Sequence, residues 1–437
     1  MPTRAVTTCR SARAARAGLL VFVVCLGLAA ADSTRWPSNA DFRLVAEQPL
    51  DSAVCPLPDW LEPTLFAADQ AGASAAGNIR PIRTVNDPYP TFAGIAVDPV
   101  NHEVVVSDEN RFSLIVYDRK LDMTGVAEAK RRISGHNTKL EFICGVAIDP
   151  QTREIYTVNN DTMDNMVVFG PDARGDVGPS RELKVDHGAW GLFLDKKNDE
   201  IAITTQHINK ISIYRRTASG KDAPLRILQG PTTALADPHG VYIDSKNDEL
   251  VVANHGSWHL ERTDGDPRWY TGNDIVSSLI PSTGRLDLPS ISVFARTAKG
   301  DAAPIRRIQG PKTRLNLPSG VTVDTIHDEI AIANDGGNSV LIFSRTANGD
   351  VAPIREITGP ATGLRNPSGV SIDTEHDELW VSNWGDHSAN VYARSATGNV
   401  APMRSIRSAP RGAPMPGMGN PGAVAYDSRR DQLLVPN

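Results

Sequence analysis

Pro318-Ser-Gly-Val-Thr-Val-Asp324, Asp328-Glu-Ile-Ala-Ile-Ala-Asn334, Ser339-Val-Leu-Ile-Phe-Ser-Arg345 and Ala352-Pro-Ile-Arg-Glu-Ile357 form one sentence of sequence. One period later come Pro367-Ser-Gly-Val-Ser-Ile-Asp373, Asp377-Glu-Leu-Trp-Val-Ser-Asn383, Ala389-Asn-Val-Tyr-Ala-Arg394 and Ala401-Pro-Met-Arg-Ser-Ile406. Four short apolar runs per unit, punctuated by Gly, Pro, Asp and Asn, describe a four-stranded antiparallel blade. The chain is therefore all-β, a propeller.

Working outward, the first strand of each unit ends in Asp: Asp98, Asp149, Asp195, Asp244, Asp324, Asp373 and Asp427. Their spacings of 51, 46, 49, 80, 49 and 54 residues are regular apart from one insertion at about 256–289. Seven starts predict seven blades, with six as the alternative. The seventh copy supplies only Gly422–Asp427 and Gln432–Asn437, so Thr64–Ala67 and Arg80–Val85 are expected to complete it from the other end of the chain. Such a shared blade would remove every free sheet edge.

Residues 1–31 carry Arg4, Arg10, Arg13 and Arg16, then an apolar run ending in Ala29-Ala-Ala31. That is the layout of a cleaved secretory signal, and a run of about 15 apolar residues falls short of the roughly 20 that span a bilayer. Residues 32–63 read as a lead-in and 64–437 as the propeller. The expectation is a secreted or periplasmic protein with no membrane segment after cleavage. Loss of the four leader arginines leaves 41 basic against 51 acidic residues, a net charge of −10, which disfavours nucleic acid as a partner. Cys9 and Cys25 leave with the leader. Cys55 and Cys144 remain, either as a disulfide or as two thiols.

Residues that recur in every blade serve the blade. Asp324 with Asp328-Glu329 encloses a hairpin turn, and the Arg-Thr/Ser-Ala-x-Gly runs at Arg216, Arg296, Arg345 and Arg394 make a second one. The pattern Pro318-x-Gly-Val-x-Val-Asp324, Ile332-Ala-Asn-Asp335 and Asn338-x-Val-x-Ile-Phe343 resembles the NHL-repeat propellers and, more loosely, the YVTN-type bacterial propellers, from about residue 64 to the C-terminus. Ser339 departs from the basic residue usual after that Asn; only Arg111 matches it. The resemblance implies a propeller whose relatives include binding scaffolds, RNA-binding modules and secreted metal-dependent lyases, so fold alone does not choose among them.

Departures from the repeat point to the site. The turns before the first strand and after the second are expected on one face, around the channel mouth. His102, His327 and His376 fall on the opposite face, whereas His187, His207, His239, His255 and His259 belong to the mouth turns of the third and fourth copies. Convergent imidazoles can hold a divalent transition metal, with His207, His239 and His255 as first ligands and His187 or His259 as a fourth. The insertion rises from the same turn with Trp258, His259, Glu261, Arg262, Trp269 and Tyr270. In an enzyme Tyr270 or Glu261 would be the acid or base, and Arg262 would hold an anionic group. Asp108, Asn159, Asn254, Asn334, Asn383 and Asn437, which end the second strands, form a second constellation able to bind a polar ligand or calcium. Against that, Asn and Asp favour turns for backbone reasons alone. Trp190, Trp258 and Trp384 are aromatic binding candidates. No nucleophile elbow, P-loop or dinucleotide fingerprint is present. Two functions follow: a scaffold for a small-molecule, glycan or protein ligand at the mouth, or a metal-assisted lyase or hydrolase.

Overall fold

The computed structural model describes residues 87–121, 126–259, 285–413, 425–427, 429–430 and 432–434. The leader, residues 32–63, the strands expected from Thr64 to Val85 and Cys55 lie outside the described residues.

Six four-stranded antiparallel sheets form a ring, a six-bladed β-propeller. Blade one is Phe92–Asp98, Glu103–Asp108, Ser113–Asp118 and Arg131–Ile133, in order from the channel outward. The inner strands of the next five blades are Ile143–Ile148, Ala189–Asp195, Pro238–Asp244, Pro318–Asp324 and Pro367–Asp373. Val and Ile dominate the strands because β-branched side chains suit a pleated surface packed on both faces. The second strands, such as Glu329–Asn334, are buried along their whole length, since each is sandwiched between neighbouring blades.

The expectation of seven blades is corrected to six. Blade six packs directly on blade one. Trp380, Val391 and Ile406 share a core with Phe92, Ile95 and Tyr117. Ser368 and Ser382 donate hydrogen bonds to the Ala93 carbonyl at 2.7 and 2.6 Å. The Ala127 N–H donates to the Arg407 carbonyl at 2.7 Å. The seventh copy's strands, Ala425–Asp427 and Gln432–Leu434, form a two-stranded sheet of their own.

Every seam repeats one chemistry. The inner-strand glycines Gly94, Gly145, Gly191, Gly240, Gly320 and Gly369 each lie against the next blade's inner-strand backbone. A Cβ on Gly191 would stand 2.1 Å from the His239 carbonyl oxygen, and one on Gly369 2.8 Å from that of Ala93. Only glycine permits so tight an inner circle. At the far end of blades three to six, the Glu that opens the second strand is held between its own blade's outer-strand Arg and an Arg of the next blade. Glu200 pairs with Arg226 and Arg296, Glu249 with Arg306 and Arg345, Glu329 with Arg355 and Arg394. Glu378 of blade six pairs with Arg404 and, closing the ring, with Arg119 of blade one. The Asp-Glu pairs read from sequence as turn residues are thus half turn and half stitch: Asp324 caps the hairpin by accepting the Ile326 and His327 N–H groups, and Glu329 joins blades.

Candidate functional site

In all six blades the first residue of the inner strand pairs with the last residue of the second strand: Phe92 with Asp108, Ile143 with Asn159, Ala189 with Thr205, Pro238 with Asn254, Pro318 with Asn334 and Pro367 with Asn383. This register brings two residues per blade to the mouth. From the inner strands come Ala93, Cys144, Trp190, His239, Ser319 and Ser368. From the turns after the second strands come Glu109, Asn160, Gln206, His255, Asp335 and Trp384.

The constellation expected at the second-strand ends is corrected by the same register. Asp108, Asn159, Asn254, Asn334 and Asn383 are buried and bond inward to the loop preceding the inner strand. Asn254 Oδ1 accepts the Ala236 N–H at 3.1 Å, Asn334 Oδ1 that of Asn316 at 2.7 Å and Asn383 Oδ1 that of Arg365 at 3.1 Å. Asn159 Oδ1 accepts from Glu141, and Asp108 from Thr91, Asn110 and Arg111. These groups staple turns and are not presented to a ligand. Asn437 lies outside the described residues.

The expected ligand set of His207, His239 and His255 divides into two groups, His239 and His255 with Asp237, and His187 and His207 with Asp161, each with a carboxylate that sequence reasoning did not supply. His239, 4% exposed, packs on Trp190 with the rings tilted at 45° and meets His255 edge-on, both at ring separations of 4.2 Å. Asp237, from the loop just before the inner strand, reaches both: its Oδ1 lies 3.8 Å from His239 Nε2 and its Oδ2 3.7 Å from His255 Nδ1. The Asp237 backbone is left-handed, with φ 55°, and its carbonyl accepts the His255 N–H at 3.0 Å, locking the two turns together. Ligand atoms of Asp237, His239 and His255 lie within 4.8 Å of one another, a spacing open to a metal ion. His239 Nε2 bonds Gln206 Oε1 at 2.9 Å, while its Nδ1 is buried and without a hydrogen-bond partner among the described residues. Burial holds both imidazoles neutral, His239 well below the usual range and His255 at about 4. Asp237 keeps 21% of its side chain exposed, yet desolvation raises its carboxyl to about 7.

One blade earlier, His187 and His207 approach with ring centroids 5.4 Å apart, together with Asp161. Gln206 bridges the two groups, its other amide end lying 2.7 Å from His207 Nε2. Desolvation lowers the His207 pKa.

The channel below encloses about 90 Å³ lined by the six inner glycines, Trp190, Cys144 and Glu109. The Cys144 thiol is buried and donates toward Glu109 Oε1 at 3.5 Å, while Cys55, its expected disulfide partner, lies outside the described residues. Burial pushes the Glu109 carboxyl up to about 8 and the Cys144 thiol well above its usual range. Trp384 is half-buried and lines a neighbouring cavity of about 610 Å³ with Arg365, Arg411 and Asp386.

On the opposite face His327 and His376 bond their turn aspartates at 2.7 and 2.8 Å, the place that Asn101, Asn198 and Asn247 fill elsewhere. The base of the insertion is a two-stranded hairpin, Ser257–His259 with Arg285–Asp287. The side chains of Trp258 and His259, and Glu261, Arg262, Trp269 and Tyr270 entirely, lie outside the described residues.

No family model and no curated protein matches the chain. Among solved structures it is similar to a functionally unknown protein from Desulfotomaculum acetoxidans DSM 771, at 14% identity and a TM-score of 0.46 over 70% of this chain and 83% of that one.

Proposed function

We propose that this chain is a secreted propeller of the NHL kind whose mouth binds a divalent transition metal through Asp237, His239 and His255, and that it acts as a metal-assisted lyase or hydrolase. The observation that carries the reading is His239: an imidazole 4% exposed, neutral, whose Nδ1 has no hydrogen-bond partner among the described residues, packed against a second neutral imidazole and a carboxylate. A buried nitrogen lone pair without a donor is costly unless something supplies one. Two imidazoles and a carboxylate suit zinc or iron, with positions left for water or substrate. A metal there would activate water or polarise a substrate oxygen.

The chain's own residues divide the remaining work. Trp190 packs against the His239 ring at a 45° tilt, and Gln206 fixes its rotation through Nε2. Glu109, protonated at neutral pH on the wall of the same channel, is the candidate acid, because a pKa near the working pH favours proton transfer. Arg365 and Arg411 beside Trp384 offer the positive charge for an anionic substrate group, a task first assigned to Arg262.

The test is metal analysis of the purified protein. Stoichiometric zinc, iron, copper or manganese that is lost on His239→Ala, His255→Ala double substitution supports the reading. A protein that stays metal-free after incubation with each ion returns the mouth to the scaffold reading, in which Trp190 and Trp384 contact a small-molecule, glycan or protein ligand.

A further inference from the structure

We infer that the mouth holds a second, independent metal site formed by Asp161, His187 and His207 at the junction of blades two and three. Asp161 comes from the turn after Ile155–Asn159, His187 from the loop before Ala189–Asp195, and His207 from the turn after Glu200–Thr205. Three separate loops therefore deliver three ligand atoms to within 4.8 Å of one another.

The hydrogen bonds around these groups orient them. His187 Nδ1 lies 2.9 Å from Asp164 Oδ1, and a carboxylate can only accept, so that nitrogen carries the proton, and Nε2 is the nitrogen left to offer a lone pair to a metal. Nε2 in turn faces Asp161 Oδ1 at 3.9 Å. A carboxylate behind a histidine, with the free nitrogen toward a second carboxylate, is how proteins aim an imidazole at a metal. Gly188 leaves the room: its φ is +83°, and a Cβ there would stand 2.9 Å from His207 Nδ1. A tetrahedral ion with bonds of about 2.1 Å wants ligand atoms about 3.4 Å apart. Side-chain rotation in these half-buried and exposed loops supplies that contraction.

The charges facing the site leave it acidic. Asp161 and Asp164 lie beside His187, and Lys184, whose side chain is 55% exposed, touches Asp164 at 3.2 Å through Oδ2, the oxygen that His187 does not use. Gln206 links the site to blade four, its Oε1 bonding His239 Nε2 and its amide nitrogen donating to His207 Nε2, so ligation through His207 Nε2 exchanges that one hydrogen bond for the metal. Nitrogen and oxygen donors in this ratio suit zinc, cobalt or nickel better than calcium.

Calorimetric titration of the metal-free protein with Co(II), read alongside the cobalt absorption bands, tests the inference. Two equivalents are expected in the unaltered protein. His187→Ala and Asp161→Asn should each remove one, Asp164→Asn should weaken that one about 10–100-fold, and His239→Ala, His255→Ala should remove the other. If the unaltered protein binds one equivalent that His187→Ala abolishes, this inference stands and the blade-four reading falls. Binding that survives undiminished in both His187→Ala and Asp161→Asn, with unchanged thermal melts showing both folded, overturns it and leaves His187 as a side chain hydrogen-bonded to Asp164. Absence of any cobalt binding overturns it equally.

Discussion

Replacing Arg119 by alanine tests the closure of the ring. Arg119 is 3% exposed, and its Nη1 lies 2.6 Å from Glu378 Oε2 and 3.4 Å from Asp373 Oδ2, joining blade one to blade six across 259 residues of sequence. Removing one partner of a buried ion pair costs about 3–5 kcal/mol, because the other charge is left buried and unpaired. Here the carboxylates keep other partners. Glu378 retains Arg404 at 2.9 Å and the Trp380 indole N–H at 3.0 Å. Asp373 retains the backbone N–H groups of Glu375 and His376. We therefore expect a cost below that range, about 2–3 kcal/mol. With an unfolding entropy of about 2.1 cal/mol/K per residue over a ring of about 320 residues, Tm should fall by roughly 3–5 °C. The assay is thermal and urea unfolding of Arg119→Ala, Glu378→Gln and the double variant. A coupling energy above about 1 kcal/mol is expected for residues in contact. A cost within about 0.5 kcal/mol, as for an exposed substitution, with no coupling to Glu378, would refute direct contact between blades six and one.

Three other outcomes follow from the mouth. The Asp237 carboxyl is raised to about 7 while His255, at about 4, is already neutral. Metal affinity at blade four should therefore rise about tenfold per pH unit from pH 5 to 7, as one proton is displaced, and level off above; titrations at several pH values in buffers of different ionisation enthalpy read that proton. Glu109 is raised to about 8, so its contribution to stability is complete below the unfolded value near 4.5 and is lost as pH rises through 8. Glu109→Gln, which mimics the protonated form, should flatten that decline in urea midpoints between pH 5 and 9. Gly191→Ala places a methyl 2.1 Å from the His239 carbonyl; overpacking of this kind costs about 1–3 kcal/mol, and the displaced His239 should lower cobalt affinity at blade four while leaving the Asp161 site in place.

The strand pattern was legible because it is local. Alternating Val and Ile bounded by Asp turns specify a hairpin wherever they occur, and the strands from Phe92 to Arg407 follow it. The number of blades was not legible, because the repeat says that a blade can form and not which neighbours it meets. That is decided by Phe92 against Trp380 and Arg119 against Glu378, pairs far apart in sequence. The histidines stood out because blades three and four break the repeat, and His187, His207, His239 and His255 all reach the mouth. Asp237, Asp161, Asp164 and Gln206 did not stand out, since Asp and Gln in turns are common. Asp237 occupies the position where blades five and six have Leu317 and Asn366, each also left-handed, at φ 52° and 43°. Its signal was available only by comparing copies in register. Glu109 was hidden the same way: in register it is the counterpart of His255.

The glutamate–arginine stitches sit where the second strands begin, whereas the histidines and Glu109 sit where those strands end. The propeller is therefore clasped at one rim and chemically equipped at the other, with the length of a strand between them. Substitutions at the equipped rim leave the clasp untouched, so the mouth of such a ring is free to acquire a new chemistry without first solving the problem of staying folded.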